Sequence, residues 1–318
     1  MRLAGGRLGN QLALSPAGQP LCEDGGCGRV GDVPKTIDEL LGLLDLETIE
    51  QGLYRGSQLP TALQQTFGGQ VLAQALVAAH RTVEPDRMVH SLHGYFLRPG
   101  LLNQPLIYQA DNLRDGRGFS SRHTVARQDG VPRFAMNASF HIDEDGLDHR
   151  DPMPSKVPGP DQCPRMSEIF AARLGPDSPL VHEWDALDVR FAGDSAQSAM
   201  IAPGAHQAHM RVWVRTVDRL PHDQVIHRAM LAYISDLTLL AVSTLPHPEV
   251  VFLSPGMQTA SIDHAMWFHR DARADEWLLY DQVSPSASGA LGFSTGRLFQ
   301  DGRLVASCSQ EGLIRVIK

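Results

Sequence analysis

The stretch SIDHAMWFHR, from Ser261 to Arg270, concentrates side chains that could do chemistry, because it holds a hydroxyl, a carboxylate and two imidazoles. His264 and His269 are five positions apart, a spacing that places them on opposite faces of a strand and apart on a helix. We therefore expect no metal ion there, and no metal site is predicted for the chain. On a strand, the alternation predicts one face with Ser261, Asp263, Ala265, Trp267 and His269 and another with Ile262, His264, Met266 and Phe268.

A second candidate is the segment GFSTG, Gly292 to Gly296, which matches the G-x-S-x-G motif of serine hydrolases. That motif needs a strand, a sharp turn and then a helix. Here RLFQDGRLVAS follows, which is typical of a β-hairpin, so we do not expect a nucleophilic serine. The similar segment GDSA, Gly193 to Ala196, is interpreted as a turn.

Asp236 is a third candidate, and it lies in LAYISDLTLL with apolar residues on both sides. An ionised carboxylate in such surroundings is costly unless hydrogen bonds compensate for the lost water. Two interpretations stay open. Either Ser235 or Asp236 caps a break in a helix, or Asp236 is a general base held in a pocket.

Glycines and arginines supply two further candidate sites. Gly68 and Gly69 open a helix, where backbone N–H groups could face an anion or an oxyanion, although close helix packing is the favoured interpretation. The segment LRDGRGFSSR supplies Arg114, Arg117 and Arg122. These arginines belong either to a solvated loop or to a site for the phosphates of a nucleotide-bearing substrate.

The elements that must position these residues are predicted from hydrophobic periodicity. TIDE, beginning at Thr36, is a capping box, so a helix is expected from there to about Leu46. Further helices are predicted from about Phe67 and over Gln224–Ser243. Strands are predicted over Pro105–Gln109, Ser120–Arg127, Arg133–His141, His209–Val217, Ser261–Phe268, Glu276–Gln282, Leu291–Phe299 and Leu304–Val316.

Short motifs recur along the chain in the same order and at a nearly constant offset. YFLR at Tyr95 returns as WFHR at Trp267, an offset of 172 residues. QDG at Gln128 returns at Gln300 with the same offset, and GFSS returns as GFST with an offset of 174. We infer two copies of one unit, each a helix followed by antiparallel strands that curl around it.

These observations divide the chain into four parts. Residues 1–33 are rich in Gly and Pro without a hydrophobic period, and we expect a disordered N-terminal arm. A first repeat is predicted over residues 34–143, a Pro-rich linker over 144–187, and a second repeat with the candidate catalytic residues over 188–318. Two such repeats side by side would form one continuous sheet.

Composition restricts the class of protein. The 318 residues are 42% hydrophobic and 20% charged, and the formal net charge of -8 argues against nucleic-acid binding. No run of about 18 uncharged apolar residues is present, so no stable membrane insertion is expected. The 4 cysteines match no zinc framework and favour a reducing, cytoplasmic compartment.

From about residue 35 to the C-terminus, the chain resembles the acyl-CoA thioesterase II (TesB-type) family. The resemblance lies in the motifs TFGGQVLAQAL, VHSLHGYFLRPG, LRDGRGFSSR, FAMNASF, ISDLTLL, SIDHAMWFHR, DEWLLY, SPSASGALGF and DGRLVASCSQEG. It implies an α+β double hot-dog fold, in which two helix-wrapped antiparallel sheets form one continuous sheet. It further implies hydrolysis of acyl-CoA to CoA and a fatty acid without a metal or cofactor, by a homodimer or homotetramer.

The resemblance also implies the catalytic residues. In the family an aspartate, a hydroxyl residue and a glutamine hold the attacking water, and their positions match Asp236, Ser261 and Gln310. Many members have threonine where this chain has Ser261, so the hydroxyl is kept without the methyl group that stiffens the rotamer. Backbone N–H groups near the helix of the second repeat are expected to stabilise the oxyanion.

The first repeat lacks these residues, which predicts one active site per chain. At the repeat offset the counterparts of Asp236, Ser261 and Gln310 are Gln64, Val89 and Ala138. Two other functions compete with hydrolysis. One is an enoyl-CoA hydratase of the same fold, whose G-D-x-N-P-type loop is not found in the sequence. The other is a non-catalytic acyl-CoA-binding protein.

Overall fold

The computed structural model describes residues 36–192, 207–247, 250, 252 and 256–317. The predicted N-terminal arm and the segment GDSA lie outside these residues. The α-helices within the described ranges are α1 Ile37–Leu44, α2 Gly68–His80, α3 Met166–Leu174 and α4 Gln224–Ser235. Short 3-10 turns lie at Pro160–Gln162, Pro179–Val181 and Leu240–Thr244.

The described strands form one 13-stranded antiparallel sheet. They are β1 Glu47–Glu50, β2 Leu53–Gly56, β3 Arg87–Phe96, β4 Leu106–Asp115, β5 Phe119–Gln128, β6 Val131–Ile142, β7 Leu187–Phe191, β8 His209–Thr216, β9 Met257–Ser261, β10 Asp263–Phe268, β11 Leu278–Ser288, β12 Leu291–Gln300 and β13 Arg303–Val316. Their order is β1-β2-β4-β5-β6-β3-β10-β13-β12-β11-β8-β7, and β9 pairs with β13.

The two halves of the sheet meet where β3 pairs with β10, with Tyr95 opposite Asp263 and Ser91 opposite Trp267. On one side of this junction the order is β4-β5-β6-β3, and on the other it is the mirrored β10-β13-β12-β11. Strand β5 and its counterpart β12 keep the offset of 172 residues that the motifs show. The predicted continuous sheet of two related halves is therefore confirmed.

Helix α2 is a central element, because every residue from Gly69 to Ala79 is buried. Its sequence is mostly small and apolar, which suits a helix enclosed by the sheet on one side and by α4 on another. The stretch Gln224–Thr244 is long and apolar enough to cross a membrane by length and composition, but 67% of it is buried inside the protein. We interpret it as a core helix and the turn that follows.

Several predicted elements differ from the structure. The capping box at Thr36 is confirmed, with its side chain accepting from the Glu39 N–H. Helix α4 was predicted to reach Ser243 but ends at Ser235, whose hydroxyl donates to the Ala232 carbonyl at 2.8 Å. Such side-chain bonds compete with the helix backbone and favour a break. The predicted linker contains α3, which the sequence analysis missed.

Candidate active site

Asp236 lies at the C-terminal end of α4, as its C-cap residue, with 5% of its side chain exposed. Its Oδ1 atom accepts a hydrogen bond from Nε2 of Gln310 at 2.6 Å, and the Ser261 hydroxyl donates to the same oxygen at 3.5 Å. The backbone N–H of Gly69 is a further donor to this carboxylate. The structure thus brings together the three side chains that the resemblance implies, from α4, β9 and β13.

Gln310 is the centre of this cluster. Its Nε2 atom donates to Asp236 and also to the Ser261 hydroxyl at 2.8 Å. A carboxylate can only accept, so the amide nitrogen, rather than the amide oxygen, must face Asp236. The amide oxygen of Gln310 is buried and has no hydrogen-bond partner among the described residues. An acceptor is therefore available beside the carboxylate.

Burial determines the charge state of the carboxylate. Loss of water raises the pKa of Asp236 to about 6, while the hydrogen bonds from Gln310, Gly69 and Ser261 act in the opposite direction. A carboxylate with a pKa near neutrality is ionised at pH 7 and is also a stronger base than an exposed aspartate. This is the electrostatic environment expected of a general base.

The alternation predicted for SIDHAMWFHR is wrong at its first residues. The pairing with β13 shifts by one position between Ser261, opposite Gly312, and Ala265, opposite Ser309. One extra residue therefore lies between β9 and β10, which is a β-bulge. The carboxylate of Asp263 accepts from the Glu311 N–H at 2.7 Å and satisfies a donor at the irregularity.

The bulge has a consequence for His264. Because it reverses the alternation, Ser261 and His264 both face α4, instead of opposite sides of the sheet. His264 is fully buried, and its Nδ1 atom lies 3.9 Å from Oδ1 of Asp236. Burial lowers the pKa of His264 to about 4, so the ring is neutral and this approach is no ion pair. The position of His264 beside Asp236 was not predicted, since nothing in a period of two reveals a bulge.

Backbone donors were predicted near the helix of the second repeat, and the Gly69 N–H that donates to Asp236 lies there, although it belongs to α2 in the first half of the chain. A Cβ atom on Gly68 would lie 2.6 Å from Oδ2 of Asp236, and one on Gly69 would lie 2.5 Å from the Tyr233 carbonyl oxygen. The absence of side chains here allows the N-terminus of α2 to approach both the carboxylate and α4. Close helix packing and an anion contact are therefore both present.

An aromatic group borders this glycine pair. The Phe67 ring packs edge-on against Tyr233, with centroids 5.0 Å apart, and against Trp184 at 6.1 Å. Trp184 belongs to the predicted linker, and the neighbouring Glu183 anchors that segment by accepting from the Ala62 N–H at 2.7 Å. The segment therefore contributes an apolar wall next to the N-terminus of α2.

The three candidate arginines do not lie at the Asp236 end of the strands. Residues that pair from strand to strand connect Asp263 on β10 with Gln109 on β4. Arg114 lies about 15 Å further along β4 than Gln109. Arg114 and Arg117 are exposed. Arg122 is 1% exposed and is held inside the first half.

The guanidinium of Arg122 is occupied by structural contacts. It donates to Thr82 Oγ1 and O, to Asn112 Oδ1 and to Asp115 Oδ1, all at 2.8 to 2.9 Å. These bonds leave the side chain without a free face for a phosphate. The placement supports a role in folding rather than in substrate binding.

We expect Arg122→Met to lower the free energy of unfolding by about 2 kcal/mol, because the hydrogen bonds from a buried guanidinium to Thr82, Asn112 and Asp115 are lost. The Michaelis constant for acyl-CoA, the substrate that the resemblance implies, should stay unchanged in the folded fraction. Urea unfolding and steady-state kinetics check the two parts. Arg117→Met is the matched control, since an exposed loop change should alter stability by less than about 0.5 kcal/mol. A raised KM with unchanged stability for Arg122→Met would contradict this assignment.

The strands of the first half have apolar residues where those of the second half have candidate catalytic side chains. Val89 and Ala138, the strand counterparts of Ser261 and Gln310, are 2% and 3% exposed. The helix counterpart of Asp236 is Arg81, the C-cap of α2, and the predicted pairing with Gln64 is wrong. That pairing used the offset of the strands, and the helices do not share it.

The structure supports neither a serine nucleophile in GFSTG nor a metal site among the described residues. Ser294 lies in the middle of β12 and is fully buried, so GFSTG is a strand segment and no nucleophile elbow, as expected. In the part of the chain that the structure describes, no group of three or more His, Cys, Asp or Glu side chains is arranged to hold a metal ion.

The fold is that of a hot-dog protein. A crystal structure of a protein of unknown function with hot dog fold from Alicyclobacillus acidocaldarius superimposes with a TM-score of 0.69, covering 87% of this chain and 98% of that one at 21% identity. Together with the mirrored halves of one sheet, this likeness defines a double hot-dog.

The family follows from similarity in sequence. The profile described as acyl-CoA thioesterase matches residues 181–313, and that of the acyl-CoA thioesterase N-terminal domain matches residues 58–141. Acyl-CoA thioesterase 2 of Haemophilus influenzae is 34% identical over 88% of this chain and 98% of its own length. Acyl-coenzyme A thioesterase 8 of Homo sapiens is 37% identical over 92% and 95%.

A crystal structure of the acyl-CoA thioesterase II TesB2 from Mycobacterium marinum is similar too, with a TM-score of 0.72 and 41% identity, covering 87% of this chain and 97% of that one. The chain belongs to the acyl-CoA thioesterase family, and its activity is that of a thioester hydrolase.

Proposed function

We propose that this protein hydrolyses fatty acyl-CoA to CoA and a free fatty acid by attack of a water molecule held by Asp236, Ser261 and Gln310. The observation that carries the proposal is the convergence of these side chains on one buried carboxylate. A thioester carbonyl is already electrophilic, so a positioned water and a base of suitable pKa suffice. General-base catalysis of this kind contributes about 10²–10⁴-fold.

The reaction begins with attack of the bound water on the thioester. The water oxygen bonds to the thioester carbon while Asp236 takes one of its protons, and the carbonyl oxygen becomes an oxyanion. The N-terminus of α2 lies beside the carboxylate, which accepts from the Gly69 N–H, and the other N–H groups of its first turn are the proposed donors to that charge. The C–S bond then breaks, and the proton held by Asp236 passes to the departing thiolate. Ser261 and Gln310 fix the position of the water.

The direct test of the activity is release of CoA thiol from acyl-CoA substrates of increasing chain length. A non-catalytic binding protein would bind these substrates without releasing thiol, and a hydratase would instead consume an enoyl-CoA. The aromatic side chains beside α2 suit an apolar acyl chain. A cytoplasmic location and assembly as a homodimer or homotetramer stay predictions.

The pH dependence follows from the state of Asp236. Below a pH of about 6 the carboxylate is protonated and cannot accept a proton from water, so kcat/KM should fall about tenfold per pH unit on the acid side. Above that value the activity should be level with respect to this group. Loss of thioester absorbance measures the rate at acidic pH without a thiol reagent. An acid limb near the ordinary aspartate pKa of about 4 would contradict the assignment.

A further inference from the structure

His264 is a buried polar group beside the proposed base that the proposed hydrolysis does not use. Its Nε2 atom lies 2.9 Å from the Ser235 hydroxyl, and that hydroxyl donates its single proton to the Ala232 carbonyl. The Ser235 oxygen must therefore accept, so Nε2 of His264 carries the ring proton. The other ring nitrogen, Nδ1, is then an unprotonated acceptor.

The position of this acceptor is the unusual feature. Nδ1 of His264 is buried, has no hydrogen-bond partner among the described residues, and lies 3.9 Å from Oδ1 of Asp236. A lone pair and a carboxylate oxygen repel one another, and buried unpaired acceptors are rare in folded proteins. Such an arrangement at a candidate catalytic group points to a function rather than to packing.

We infer that His264 is a positioning residue, whose Nε2–H holds Ser235 and with it the end of α4, while its Nδ1 lone pair opposes the charged form of Asp236. The inference rests on the proposed role of Asp236 as the base. The imidazole has two separable effects. One fixes where the carboxylate lies, and the other makes it more basic.

Other groups around Asp236 do not account for this effect. The polar groups that contact or face it are Tyr233 on α4, the Gly69 N–H on α2, Ser261 on β9, His264 on β10, Tyr280 on β11, and Cys308 and Gln310 on β13. Burial raises the pKa of Cys308 to about 12 and the pKas of both tyrosines above their usual range, so these groups stay neutral while Asp236 titrates. Glu183, whose pKa burial also raises, acts on Tyr233.

Two substitutions separate the effects. In His264→Gln the amide can reach the Ser235 hydroxyl as Nε2 does, but nothing takes the place of Nδ1. In His264→Asn the amide lies where Nδ1 lies and can donate to Asp236, while the bond to Ser235 is lost. Both variants remove the lone pair, so the acid limb of kcat/KM should move to lower pH by about half a unit or more. The plateau value of kcat should fall further for Asn than for Gln.

Ser235→Ala provides a test that leaves the imidazole intact. Without its acceptor at Nε2, the ring can carry its proton on Nδ1 and donate toward Asp236, so the acid limb should again move to lower pH. This variant still tests the inference if the His264 variants do not fold. His269→Gln is the control, because it changes another histidine bonded to a serine hydroxyl, that of Ser307 at 2.9 Å, at an exposed position.

The outcomes separate this inference from the proposed function. The inference is overturned if kcat/KM falls at the same acidic pH as in the unaltered protein, both in folded variants of His264 and in Ser235→Ala. If Asp236→Asn is inactive at the same time, the proposed function survives and only the role of His264 fails. If Asp236→Asn keeps full activity, the proposed base itself is wrong.

Discussion

Asp236→Asn should lower kcat for acyl-CoA hydrolysis by about 10²–10⁴-fold, the contribution expected of a general base. Asparagine keeps the shape of the side chain and can still accept from Nε2 of Gln310, which donates to Asp236 at 2.6 Å. It cannot take a proton from water. Thiol release under substrate saturation measures the effect, and thermal unfolding shows whether the fold is kept.

The variant should remain folded and should still bind substrate. Burial disfavours the charge of Asp236, so a neutral side chain at this position is not expected to lower the melting temperature. Asp301→Asn is the matched control, because Asp301 occupies the β12–β13 turn with φ 49°, a conformation that asparagine tolerates. A kcat near that of the unaltered protein for Asp236→Asn would remove Asp236 from the mechanism.

The architecture was predictable because it is repeated. A motif of a few residues is weak by itself, but collinear copies with a constant offset require two equivalent sets of strands. The order β4-β5-β6-β3 and its mirror image in the second half confirm this.

Strand β1 was not predicted, since ETIE is exposed along its whole length and shows no alternation. The break after Ser235 was one of two interpretations, and the structure shows both the break and a buried carboxylate.

The geometry around Ser261 was not predictable from alternation. The bulge at Ile262 has a counterpart in β3, whose register with β6 shifts between Val89 and Ser91, so it belongs to the repeated fold and a period of two does not encode it. One inserted residue turns every preceding side chain to the other face. The family resemblance named Ser261 correctly as a neighbour of Asp236, whereas the alternation placed Ser261 on the opposite side of the sheet from His264.

The role of the α2 glycines could not be decided from sequence either, because it depends on how closely two helices approach. Gly68→Ala should lower kcat by about 10²-fold, since the added Cβ would lie 2.6 Å from Oδ2 of Asp236 and displace the carboxylate. Stability should change little. Alanine suits a helix better than glycine, and the atoms that must move, Oδ2 of Asp236 and the edge of the Phe96 ring at 3.1 Å, are ends of side chains.

Gly69→Ala should lower stability, and kcat with it, because the Gly69 N–H donates to Asp236. Its Cβ would meet the Tyr233 carbonyl oxygen at 2.5 Å, which is backbone of α4, so the helices must separate at a cost of about 1–3 kcal/mol in the free energy of unfolding. Gly42→Ala is the control in α1, where nothing lies within 4 Å of the added atom. Denaturant unfolding and thiol release should therefore separate the two neighbouring glycines. Loss of stability without loss of kcat in Gly68→Ala would show that α2 does not position Asp236.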